Sequence, residues 1–249
     1  GGNIRIQGTG NSDLASSNRG VQIGAATIAT GMGGGTVEVD GTGGGVGASM
    51  AGTTSIITNT GNVAITGSSL GTFSGVSLTG ASIASGGGAI TTTADSISIV
   101  AGSFINSGTG MTTIRQLTSN FAINLGGADL GGSTLGLTDL ELDTITAGTL
   151  QIGNSSSGQI TVSNAISHAN HLSLTTGGGL TINSAITMNP NRNLTMNTSG
   201  TIELATLSAD LAATGAGAIS LTTERNIILS SGSSVTTVNG NLNLSANQQ

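Results

Sequence analysis

The 249-residue chain reads as an all-β protein, a right-handed parallel β-helix (β-solenoid) with roughly 20–22 residues per coil and about 11 coils. Three observations predict this. Apolar residues alternate with polar ones in short pairs, which marks a strand with one buried face. The pairs recur at fixed spacing: Leu150, Leu172 and Leu194 lie 22 residues apart, and Ile160, Leu180 and Ile202 are separated by 20 and then 22. The composition suits tight coils stacked on near-copies of themselves, with 43 glycines, one proline, 6% charged and 1% aromatic residues.

Taken in order, the first part of the chain carries the beat at Ile4/Ile6, Val21/Ile23, Val37/Val39, Val63/Ile65, Val76/Leu78, Ile97/Ile99 and Ile123/Leu125. Glycine clusters at 31–35, 41–47 and 86–88 read as corners or loops that need positive φ. From Leu135 the beat is regular. Each coil offers three strand pieces, such as Leu150–Ile152, Ile160–Val162 and Ile166, followed by Leu172–Leu174, Leu180–Ile182 and Ile186. The cross-section is then triangular, with Ile, Leu and Val stacked inside. Right-handedness follows from the rule for parallel connections. Leu204 to Leu211 has ambiguous spacing and reads as loop or strand. No composition break divides the chain, so residues 1–249 read as one continuous solenoid segment, less regular over 1–140 and regular over 141–249. About 11 coils at roughly 4.8 Å each give a rod of about 50 Å.

Positive hydropathy and regularly placed aliphatics argue against a disordered linker. Five arginines, no lysine and a net charge of −6 leave no basic run for nucleic acid. No stretch of 18 apolar residues reads as a transmembrane segment. With no cysteine, disulfides and thiolate metal sites are excluded, and a disulfide-free chain suits export as an unfolded thread. The chain opens without methionine or a signal peptide and inside the repeat pattern, so it reads as a processed or excised piece of a longer chain.

Residues 172–186 (Leu-Ser-Leu-Thr-Thr-Gly-Gly-Gly-Leu-Thr-Ile-Asn-Ser-Ala-Ile), 215–221 and 240–244 resemble repeats of filamentous-haemagglutinin-like exoproteins, the two-partner-secretion adhesins of Gram-negative bacteria; autotransporter passengers are similar. The resemblance covers the C-terminal half well and the N-terminal half loosely. It implies a β-helix exported unfolded through an outer-membrane pore and displayed as a rod at the cell surface. The partners it implies are that pore, flanking coils end to end, and a receptor on a host or neighbouring cell. The stretch Asn189, Pro190, Asn191 nearly matches a motif of the family's secretion domains, but it lies late and within regular repeats, so it reads as a turn.

The sharpest charged feature is Asp139, Glu141 and Asp143, alternating with Leu140 and Leu142. On a strand with both leucines inward, the three carboxylates form an outer row, a candidate Ca²⁺ site; the alternative is a solvated strand face that discourages edge pairing. Glu38 and Asp40 form a shorter version. The glycine runs do not match the calcium-roll nonapeptide. Glycoside hydrolysis needs converging acids, and only 11 acidic residues and three phenylalanines are present. His168 and His171, three apart, read as a polar corner rather than a transition-metal pair. Without lysine no Walker loop is possible. Threonine pairs such as Thr175/Thr176 and Thr222/Thr223 lack the regular Thr-x-Thr spacing of an ice-binding face.

The expected function is therefore a non-enzymatic structural and adhesive rod segment of a secreted bacterial surface exoprotein, with no cofactor beyond the calcium candidate. The alternative is a fibre subunit stacking head to tail; a polysaccharide-acting enzyme ranks third.

Overall fold

The computed structural model describes residues 1–15, 17–129 and 133–247. Among these residues are twenty-nine strands and a single turn of helix, Asp139–Leu142. No helix of the described chain is long and apolar enough to cross a membrane. The strands stack in parallel into a β-solenoid, and each coil contributes strands to three faces.

The first face is one unbroken ten-stranded sheet, from Ile4–Thr9 to Leu242–Ser245. Its register is strict. Ile4 pairs with Val37, Val37 with Val63, Val63 with Ile90, Ile90 with Thr112, Thr112 with Leu150, Leu150 with Leu172, Leu172 with Leu194, Leu194 with Ile219 and Ile219 with Leu242. These are the alternate residues the two-residue beat selects, so each inward side chain rests on its counterpart one coil away. Leu150, Ile152, Leu174, Leu194 and Met196 have no exposed surface, and burying each such side chain contributes roughly 1.5–3 kcal/mol.

Ten rungs make about nine turns, fewer than the eleven coils expected. The difference lies in the less regular half. One turn of the first face consumes 33 residues from Ile4 to Val37 and 38 from Thr112 to Leu150, whereas every turn from Leu150 onward takes 22 to 25. Nine steps of about 4.8 Å shorten the expected rod to roughly 43 Å. The three strand pieces per coil are found where expected, in Thr149–Ile152, Ile160–Val162 and Ile166–His168 and again in His171–Thr176, Leu180–Ile182 and Ile186–Met188. The ambiguous 204–211 stretch is the end of one strand, a turn, and the start of Asp210–Ala213.

The abundant Ser, Thr, Asn and Gly serve the corners, where the backbone leaves its ladder. At one corner the hydroxyls of Thr176, Thr198 and Thr223 donate to the carbonyls of Gly158, Gly178 and Gly200. Each also accepts the backbone N–H two residues on, at 2.9–3.0 Å. At another, Thr58, Ser85, Ser107 and Thr237 donate to the carbonyls of Gly61, Gly88, Gly110 and Gly240. Asparagines head the first-face strands: Asn3, Asn62 and Asn193 accept the N–H groups of Thr36, Ala89 and Ala218, one coil on. These corner and strand-end backbone groups are thereby satisfied within the stack.

The glycine clusters divide by cause. Gly34 and Gly87 adopt φ of 73° and 115°, as expected of turn glycines. Within 41–47 the expectation of positive φ fails. Gly41 lies inside the strand Val37–Gly43, and a Cβ there would fall 2.2 Å from the Gly47 carbonyl oxygen. That glycine is required by close approach of backbone to backbone. Asn189–Arg192 is the turn expected, closed by the Arg192 N–H to the Asn189 carbonyl at 3.1 Å with Asn191 at φ 66°.

Candidate functional site at a break in the ladder

Only the first face runs the full length of the solenoid. The second position of each coil is filled by Val21–Gly24, Ala48–Ala51, Val76–Thr79 and Ile97–Ile99, and there the sheet ends. A second sheet then begins, in the spatial order Thr134–Leu137, Ala122–Leu125, Ile160–Val162 and onward to Ile227–Leu229. The third position breaks likewise, between Ile145–Thr146, which ends a five-stranded sheet, and Ile166–His168, which starts a four-stranded one. The cause is the long coil from Thr112 to Leu150. It lays two consecutive strands on the second position, with Ile123 facing Leu135 on one side and Ile160 on the other. The helix Asp139–Leu142 follows directly.

A broken ladder leaves strand N–H groups without carbonyl acceptors, and a buried unpaired amide is costly. Side chains take over here. The N–H of Ile97 donates to Asp129 Oδ2 at 2.9 Å and that of Ile99 to Glu141 Oε1 at 3.0 Å. Across the break, the N–H of Ser167 donates to Asp139 Oδ1 at 3.0 Å. The third face is bridged by Asn170, whose Oδ1 accepts the N–H of Ala147 at 3.0 Å while its Nδ2 donates to the Ile145 carbonyl at 2.8 Å.

This overturns the strand read through residues 139–143. The segment is a helical turn opened by a reciprocal cap: Glu141 N–H donates to Thr138 Oγ1, and Glu141 Oε2 accepts from the Thr138 N–H at 3.0 Å. Helical geometry sends Asp139 and Glu141 to different strands, so the outer carboxylate row drawn for Ca²⁺ with Asp143 does not form. Leu142 is buried, whereas Leu140 is 80% exposed rather than inward. Burial and then the Asp139 charge push the Asp143 carboxyl above its usual range. Among the described residues no group of three or more His, Cys, Asp or Glu is placed to hold a metal ion. Glu38 and Asp40 flank Arg5 at 3.5 and 4.0 Å, an exposed pairing of small energetic consequence.

His168 and His171 flank the bend at 169–170 that joins two strands, the corner expected, but His168 is turned into the interior. It is 2% exposed at the end of Ile166–His168, with Nε2 3.0 Å from Asn170 Nδ2. The two backbone partners of Asn170 fix its amide orientation, so Nδ2 donates and Nε2 accepts. The imidazole proton therefore sits on Nδ1, which is buried without a hydrogen-bond partner. Burial lowers the pKa of His168 to about 4, against a smaller upward pull from Asp139. His171 stands apart from it as a ladder residue, its Nδ1 accepting the N–H of Asn193 at 2.9 Å.

The break opens outward into a cleft of about 730 Å³ whose lining includes Ser74, Ile97, Ile99, Asp129, Leu140 and Glu141. The carboxylate oxygens named above are already hydrogen-bonded, so the wall offers hydroxyls and the exposed Leu140 rather than a converging acid pair. Sequence reasoning found Asp139 and Glu141 for the wrong reason and missed Asp129, Asn170 and the Thr138 cap. In comparisons with known proteins, no family model matches the chain, and no curated protein or solved structure matches it either.

Proposed function

We propose that this chain is a structural and adhesive rod segment of a secreted bacterial surface exoprotein, serving reach and display. The observation that supports it best is the unbroken ten-stranded first face. Its outward positions are mostly small and polar, as at Thr91, Thr113, Ser173, Thr195 and Ser220. A coil that repeats its own register extends by addition of further coils, each contacting only its neighbours. The resemblance of residues 172–186 to filamentous-haemagglutinin-like repeats supports the same reading and adds outer-membrane export and cell-surface display. Binding to a host or neighbouring cell would fall to loops and to the cleft at the break, the places where the repeat departs from its own pattern.

The test pairs electron microscopy across a concentration series with adhesion of chain-coated beads to cells. Dispersed short rods and saturable bead attachment fit the proposal. Filaments that lengthen with concentration favour the fibre subunit instead, and turnover of a polysaccharide by the purified chain overturns both.

A further inference from the structure

We propose that the break is an acid-opened joint: protonating His168 at Nε2 sets two donors face to face and releases the Asn170 clasp that ties the third face together.

The geometry carries the argument. Asn170 has its oxygen committed to the Ala147 N–H and its nitrogen shared between the Ile145 carbonyl and His168 Nε2. It cannot flip to greet an imidazolium without losing both backbone bonds. Rotation of the imidazole offers no escape, because Nδ1 already carries a proton with no partner. A proton on Nε2 therefore replaces a hydrogen bond at 3.0 Å with a donor–donor clash in a buried site. The structure beside it has no continuous ladder to fall back on, since the second and third faces are both interrupted here.

The titratable groups on the surrounding elements are few. The helix contributes Asp139 and Glu141, with Asp143 just beyond it, and His171 stands on the next strand. The strands Ile145–Thr146 and Ile186–Met188 contribute none. Asp139 is the one whose charge favours the imidazolium, and burial outweighs it. The folded pKa of His168, about 4, lies below the ordinary 6.5, so the closed joint is fully favoured above pH 6.5 and is progressively lost as the pH falls toward 4.

The experiment is native-state hydrogen exchange on the whole chain from pH 7 to pH 4, each amide corrected for its intrinsic rate. Protection of the Ala147 amide is expected to fall by up to roughly 150-fold over that range, while that of Leu194, bonded to Ala218 within an intact face, holds. In His168→Met, a residue that matches Met188 on the neighbouring strand, the acid loss at Ala147 should vanish. An equal loss along the whole rod, or the same loss persisting in that variant, overturns the proposal. Should His168→Met fail to fold, Asp139→Asn keeps an acceptor for Ser167 but removes the charge favouring imidazolium. With that charge gone the closed-state pKa falls further, so the loss of protection at Ala147, followed to pH 3, must begin at the same pH and end larger than in the parent chain; an unchanged or smaller loss overturns the proposal.

Discussion

Thr92 shows how the stack treats a single side chain. It occupies an inward position between Ile65 and Ile114, is fully buried, and its hydroxyl has no partner. Thr92→Val removes an unpaired polar atom at nearly constant shape, and a gain of about 1 kcal/mol is expected, read as a raised urea midpoint. The opposite experiment is Ile182→Asp, which buries a charge at a position with no exposure. It should cost about 4 kcal/mol or more. One residue away, Thr181 accepts from Gln159 Nε2 at 2.7 Å. Serine retains that hydroxyl, so Thr181→Ser should stay within about 0.5 kcal/mol in the same assay. His168 gives the stack a pH dependence: a base whose pKa drops from 6.5 to about 4 on folding contributes roughly 3 kcal/mol of stability above pH 6.5 that is withdrawn by pH 4.

At the scale of elements, strands were legible and the helix was not, for a physical reason. Leu150, Leu172 and Leu194 announce a strand because the same inward residue must return after every coil, and the 22-residue spacing is the perimeter of a coil without insertions. Residues 139–143 alternate acid and leucine as an amphipathic strand does, yet five residues fit a helical turn equally well. The deciding signal was local and unused: Thr138 followed three residues later by Glu141 is a capping box. The pairing of Ile97 and Ile99 with Asp129 and Glu141 spans 32 and 42 residues, a separation at which single-chain periodicity carries no information. Because Glu141 serves both the cap and the Ile99 amide, Glu141→Ala should cost about 2 kcal/mol. Thr138→Ala, which removes only the cap, should cost about 1 kcal/mol; thermal melts of the two variants check the order.

Across the whole molecule, stability is a sum of coils and nearest-neighbour interfaces. Circular dichroism should report β structure with very little helix, in line with the single helical turn among the described residues; substantial helix would refute the solenoid. A fragment holding one coil, such as 150–171, should remain unfolded in the same spectrum, because both its faces along the axis lack a template.

The continuity of the first face through the break has a mechanical consequence. Two of three walls are cut about one coil apart and the third is whole, so the rod carries a leaf hinge. Bending that spreads the cut walls and folds the intact wall inward is therefore the expected soft direction. Kinks in imaged rods should therefore share one handed orientation relative to the chain ends, with the first face always on the inside of the elbow.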